Sequence, residues 1–367
     1  MLKSGSMKLG TSRNSIALNA AKNNAELRSG PKKRGVAKVR KNAPRSSATE
    51  ALRTALEPLF LKYNQRRFLS SDPLEFPHRF TDPWDQEAVA LFSAILAYGN
   101  VVQIRKSVED LLGRITALGL RPAELIRSLE TEAGERAWQE AVRGFVHRFN
   151  VGEDLALFAR LLARSWKIHG SFGAHLLSKM DEDDEDFGTG LSGVFAEWGE
   201  WRRDFRVAPE SFRYLLTPPD LGSACKRWCM LLRWMVRKDA LDLGLWRAGS
   251  PLLPAGSPGI RPDQLVMPLD THTGRISQYL GLTTRKSLGW KAAREITDRL
   301  RECDAEDPVK YDFALARLGI LDVCQLRFRV EICMGCDLLR VCRFARKGLS
   351  SRASRSTSSS SSAPKRR

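Results

Sequence analysis

Four of the seven cysteines stand at Cys324, Cys333, Cys336 and Cys342, spaced C-x8-C-x2-C-x5-C. Thiolates gathered this closely suit a soft metal. The first fifty residues hold no apolar segment of the kind a secretory leader needs, so the grouping points to metal rather than to disulfides. Tetrahedral zinc and an iron–sulfur cluster both suit four sulfurs, and ligand chemistry alone leaves the choice open. The bland alternative is a chance gathering of free buried thiols. Cys225, Cys229 and Cys303 lie apart from the group and read as core residues.

Two further positions carry chemistry. In Val266-Met-Pro-Leu-Asp270-Thr-His-Thr-Gly-Arg-Ile276 a carboxylate stands just before a helix-like stretch. Asp270 there serves as an N-cap, with Thr271 as the alternative cap. His272 reads as a structural histidine. Lys226 opens an apolar-spaced segment reaching Val236, after the break Thr217-Pro-Pro-Asp220. It is a phosphate contact or a solvated lysine.

The elements that position these residues are helical. Apolar side chains recur at three- and four-residue spacing within 86–98, 101–117, 137–149, 152–167, 226–236, 288–300 and 308–319, and strand-like alternation is scarce. The fold class expected is all-α. The acidic run Asp181–Asp186 reads as a solvated loop. Residues 248–262, with four Pro and three Gly, read as a long loop between helices.

Charge divides the chain into three parts. The net charge is +18, yet residues 1–50 hold 12 Lys/Arg against 2 acids, residues 343–367 hold 8 and no acid, and 51–342 balance 40 against 40. The two basic tails, the second Ser-rich, are expected to be disordered and to make salt-sensitive contact with a polyanion such as nucleic acid, or simply to solubilise. No stretch approaches the roughly 20 apolar residues of a membrane helix.

Together these motifs are familiar. Phe313-Ala-Leu-Ala-Arg-Leu-Gly-Ile-Leu-Asp-Val-Cys324 with the three later cysteines, and the Asp270 segment, resemble the endonuclease-III-like (HhH-GPD) DNA glycosylases. Blocks such as Lys226–Asp239 and Asp307–Phe313 also resemble an uncharacterised bacterial family related to them. The resemblance implies a two-lobed helix–hairpin–helix fold over residues 51–342 and a [4Fe–4S] cluster on the four cysteines, favoured over zinc. It implies Asp270 as the catalytic carboxylate. The hairpin would be Pro219–Lys226, gripping phosphate through Gly222 and Ser223. In strict register Ala224 stands where the family has its lysine, and Lys226, two residues on, becomes the nucleophile only in a shifted hairpin. Leu91–Asn100 is similar to a family segment that touches base and strand, which makes Tyr98, Asn100 and Gln103 candidate DNA contacts. Arg327 and Arg329 in the cluster loop would face phosphate. The function implied is binding duplex DNA, flipping a modified base and cleaving its N-glycosidic bond, with abasic-site lyase action if Lys226 serves. A monomer in the cytoplasm, associated with the nucleoid, is the setting. The alternatives are a DNA-binding relic without chemistry, an enzyme of modified-base metabolism, and a zinc-ribbon module on a helical protein.

Overall fold

The computed structural model describes residues 46–205 and 209–359, and its elements are nearly all helical. In chain order they are α1 (Ser47–Tyr63), α2 (Pro83–Ile95), α3 (Val101–Ala117), α4 (Pro122–Ser128) and α5 (Glu132–Ala141). A small antiparallel hairpin, β1 (Val146–His147) and β2 (Asn150–Val151), follows. Then come α6 (Gly152–His169), α7 (Phe172–Leu177), α8 (Gly188–Trp201), α9 (Lys226–Val236), α10 (Thr271–Leu280), α11 (Trp290–Cys303), α12 (Asp312–Ile320), α13 (Val330–Met334) and α14 (Arg343–Ser359). The described residues all belong to one unit, Ala43–Arg367. Most of the basic N-terminal tail, and the last residues of the C-terminal one, lie outside the described residues.

Two helices form the centre. α2 starts where Asp82 Oδ1 accepts from the Trp84 and Asp85 amides, with Pro83 in the first turn. Its residues 87–95 are buried all round, as are Arg227 to Val236 of α9, and the two helices pack on each other. Helices apolar on every side belong in a core. Each nevertheless brings charge inside, and Glu87, Arg233 and, just past the end of α9, Arg237 are met by partners. Glu87 accepts from the Phe172 and Gly173 amides (3.0 and 3.1 Å) and from Trp246 Nε1 (2.7 Å), tying α2 to the start of α7. Arg233 pairs with Asp312 (2.6 Å) and Asp242 (3.3 Å), and Arg237 with Asp242, Asp239 (2.8 Å) and Asp307 (2.9 Å).

Three stretches depart from the sequence expectations. The helix expected over 137–149 ends at Ala141, and the chain reverses through β1 and β2. Trp138, Val142 and Phe145 are all buried, so their spacing fits a helix. Beyond them burial alternates through Phe145, Val146 and His147, and Arg148, at φ +56°, makes the tight turn. The expected tail boundary at residue 50 falls inside α1, which Ser46 Oγ caps by accepting from the Thr49 amide. The basic segment from 343, expected to be disordered, is helical to Ser359. Its first turns carry packing groups that average composition hides. Phe344 stacks on Tyr279 (4.2 Å, 11°), Ala345 is buried, and Gly348 lets Phe328 approach. The Pro/Gly-rich loop at 248–262 is irregular, as expected, but docked: Ser171 Oγ donates to the Leu252 carbonyl, and Leu252 and Leu253 are buried.

Candidate functional site

Lys226 and Asp270 stand at the N-terminal ends of α9 and α10. Asp270 is the N-cap of α10: its Oδ1 accepts from the Thr273 amide (2.8 Å) and hydroxyl (3.1 Å), while Thr273 Oγ1 accepts from the Asp270 amide (2.9 Å). The reciprocal pair is a capping box. It uses one carboxylate oxygen and leaves Oδ2 outside the cap. Lys226 is the first residue of α9, after Cys225 in a left-handed conformation (φ 48°). Burial pushes the Cys225 thiol up to about 12, and it donates to the Thr217 carbonyl, so it is a neutral anchor.

A residue the sequence reading passed over links the two. Asp312, the first residue of α12, is buried against Arg233, and the charges of both Asp270 and Lys226 act on its carboxyl. Burial raises its pKa; Arg233 and, more weakly, Lys226 oppose the rise, and Asp270 reinforces it. α12 also packs on α10, with Gly319 leaving room for His272, which is otherwise exposed. Two carboxylates and an amine from three helix starts thus share one neighbourhood.

The segment read as a helix–hairpin–helix is built differently. Its turn is led in by 3-10 turns at Glu210–Tyr214 and Pro219–Leu221, where Pro209, Pro218 and Pro219 oppose an α-helix. Gly222 supplies the left-handed turn (φ 80°). Its amide is already used on the Pro219 carbonyl, and its own carbonyl accepts from the Trp290 amide at the start of α11. Ser223 Oγ accepts from the Cys225 amide. Neither group is the open phosphate cradle expected of that motif.

The strand-contact candidates scatter. Asn100 caps α3 by accepting from the Val102 amide, and Gln103 reaches Ser107 Oγ at 3.4 Å. Tyr98 is half-buried, its hydroxyl donating to Asn150 Oδ1 (2.6 Å) and the His147 carbonyl (2.9 Å), with burial holding its phenol up at about 12. The outermost rings beside it are Phe149 and Tyr214, which the sequence reading missed because they belong to the unexpected hairpin and to a 3-10 turn.

The four thiols Cys324, Cys333, Cys336 and Cys342 do meet. They line one hollow with Tyr279, Ile332, Leu339 and Phe344. Backbone amides point at three of them: Leu326 at Cys324, Leu338 at Cys336, and both Phe344 and Ala345 at Cys342. Leu326 adopts φ +56°, and Tyr279 Oη donates to its carbonyl. A left-handed leucine costs about 1–2 kcal/mol. Burial raises all three of these thiols and the amide bonds lower them. Among the described residues, the three-residue group whose ligand atoms lie within 4.8 Å of one another is His169, His175 and Glu197. The thiols form no such group. Zinc bonded at about 2.3 Å would draw four sulfurs to about 3.8 Å apart, so this cradle is wider than a closed zinc tetrahedron. Arg327, Arg329, Arg340 and Arg343 around it are exposed.

The histidine group is poorly built for an ion. The two imidazoles are parallel (4.2 Å, 4°), so their in-plane lone pairs do not converge on one point, and Lys179 Nζ lies 2.5 Å from Glu197. A cleft of about 810 Å³ between α5 and α6, lined by Arg136, Glu140, Arg160, Asp204 and Phe205 among others, contains none of the sequence-predicted residues.

A mostly helical body with a thiol-lined C-terminal loop is the class these features define. Over residues 72–321 the chain matches the model of a protein family of unknown function, DUF2400, and it belongs to that family. No curated protein and no solved structure matches it. The endonuclease-III-like assignment is therefore corrected: the family shown is a different one. Its motifs misled because a capped aspartate, a proline-led turn and a cysteine run are short local patterns that unrelated folds can share. The matched span contains Tyr98, Lys226, Asp270 and Asp312 and ends before the four cysteines. No helix among the described residues is long and apolar enough to cross a membrane.

Proposed function

We propose that this protein binds duplex DNA and breaks the bond between a modified base and its sugar, with Lys226 as the amine nucleophile and Asp270 as the carboxylate facing the sugar cation. The observation that carries the reading is the shared neighbourhood of Lys226, Asp270 and Asp312 at three helix starts. In the reaction the Lys226 nitrogen bonds to C1′ as the bond to the base breaks. The base leaves with the bonding pair and gains a proton, and the amine loses one. Asp270 balances the positive charge that builds on the sugar. Opening of the ring then gives an imine, which water hydrolyses. The Arg233–Asp312 pair fixes the position of the buried carboxyl.

The four cysteines fit an iron–sulfur cluster better than zinc. Their spread exceeds a zinc tetrahedron, and amide N–H groups aimed at the sulfurs are among the protein's means of tuning such a cluster. When bound, the cluster would be structural, pinning the exposed arginines of the loop near phosphate. Iron and acid-labile sulfide content with broad brown absorbance would support it, and stoichiometric zinc would replace it with the other metal.

The test of the chemistry is borohydride trapping on a duplex carrying an abasic site. A covalent adduct is expected, lost in Lys226→Ala, and base release from a modified duplex should fall by about a hundredfold or more in Asp270→Asn. No adduct with the wild type removes the amine from the mechanism. A second reading, DNA binding without chemistry, is favoured by the use of Asp270 Oδ1 in its cap and of the Gly222 amide in its turn. It predicts salt-sensitive binding and no base release from any duplex.

A further inference from the structure

Three aromatic rings meet where the β1–β2 turn passes the end of α2. Tyr98 stacks on Phe149 (6.2 Å, 11°) and stands edge-on to Tyr214 (4.9 Å, 64°), and Phe149 meets Tyr214 at 5.3 Å and 74°. Tyr98 is clamped from beneath by Asn150 and His147, so the platform rests on a fixed base. Its outer rings are open to solvent, Phe149 by 57% and Tyr214 by 39%. Most large apolar side chains here are buried, and nothing in the fold needs a phenylalanine at the tip of a two-residue turn.

Two guanidiniums flank the rings. Arg148, exposed, lies 5.3 Å from the Phe149 ring centre, and Arg227, buried, lies 5.0 Å from Tyr98 and 4.8 Å from Tyr214. Arg227 donates to the Ile95 and Tyr214 carbonyls. Among the described residues neither arginine has an ion pair with a carboxylate. The nearby buried acid, Asp154, is already engaged by Asn150, Ser211 and the Val151 amide. Buried guanidiniums are normally matched by an anion, and Arg233 and Arg237, on the same helix, are matched twice and three times. At Arg227 the positive charge is left uncompensated beneath two π faces.

Open aromatic faces above an uncompensated cation ask for a ligand that is both aromatic and anionic. We propose that Phe149 and Tyr214 stack an unpaired base of a single-stranded nucleic-acid segment, with Arg148 beside its phosphate. The platform lies on an open surface, so the rest of the hold must come from neighbouring nucleotides of a strand. Arg227 follows Lys226 in α9, and a strand stacked there passes the start of that helix. The inference rests on the reading that the chain binds nucleic acid and does not need the chemistry at Lys226.

The experiment is fluorescence anisotropy of the full chain with a labelled single-stranded oligonucleotide and, in parallel, the matching duplex. Phe149→Ala should weaken single-strand binding about tenfold or more while leaving duplex binding within about twofold. Phe149→Leu, which keeps bulk but has no π face, should fall with it, and Phe149→Tyr should bind as the wild type does. Phe149 is exposed, and a circular-dichroism melt confirms that each variant is folded. If the wild type binds the strand and Phe149→Ala and Phe149→Leu bind it equally well, the platform is overturned while the nucleic-acid reading stands. If the wild type binds neither strand nor duplex, both fall. A free mononucleotide that displaces the oligonucleotide at similar concentration would overturn the strand in favour of a small ligand.

Discussion

Around Arg233 and Arg237 each buried charge is met by another residue of the fold, with Asp239, Asp242, Asp307 and Asp312 closing on two guanidiniums. From residue 321 to 350, by contrast, Leu338 and Ala345 are the only buried residues, and the loop brings its four thiols together with little apolar burial beneath them. The first region is complete without a ligand. The second gathers donors at the cost of left-handed conformations at Asp322 and Leu326, and a bound metal would supply the missing stabilisation. The difference separates a region closed by its own ion pairs from a loop whose donors have little apolar burial to hold them.

The largest effect should come from breaking the second region. If the proposed metal is bound, replacing Cys333 and Cys336 with alanine should remove it and open residues 321–350 to protease, with the body ahead of them still resistant. Limited proteolysis read by mass spectrometry checks this, and an equally resistant loop would mean that it stands without metal. Next comes the first region. Arg233→Ala strands Asp312, leaves Asp242 to Arg237 alone, and should cost about 3–5 kcal/mol in denaturant unfolding, with metal content unchanged. A cost below about 1 kcal/mol would make the two regions alike.

A pH dependence follows from the body alone. Burial lowers the His175 imidazole to about 4 from its ordinary 6.5, against the opposing pull of Glu197. Between these values the unfolded chain binds the proton and the fold does not, so stability is full above about 6.5 and falls as the pH drops to about 4. The loss is on the order of 3 kcal/mol. Thermal melts across that range should show the slope, and His175→Gln should flatten it. The smallest effect should be at the seam between the regions. Asp337→Ala removes the exposed pair with Lys62 (3.0 Å) and should change stability by no more than about 0.5 kcal/mol. A larger loss would show that the loop depends on the body after all.

Much of the candidate site was legible because it is local. The cysteines declare themselves by spacing, the Asp270 cap by an acid before a helix, and Lys226 by its place after prolines. Asp312 was not, because an acid at the start of an apolar helix looks like an ordinary first-turn residue. Only the tertiary packing, α12 on α10 included, lets the charges of Asp270 and Lys226 act on its carboxyl. Phe149 and Arg148 were hidden in a stretch whose apolar spacing fits a helix.

The sequence by itself determined the helical class, most helix positions, the gathering of four thiols and the neutrality of the body between basic ends. These depend on periodicity, caps and composition, which act over a few residues at a time. Tertiary structure alone decided that the chain turns back at Arg148, that Arg227 is buried under Tyr98 and Tyr214 with no carboxylate partner among the described residues, and that the charges of Asp270 and Lys226 act on Asp312. Burial and charge pairing there join residues up to 132 positions apart, from Ile95 to Arg227, and no local pattern encodes which partner a buried charge will find.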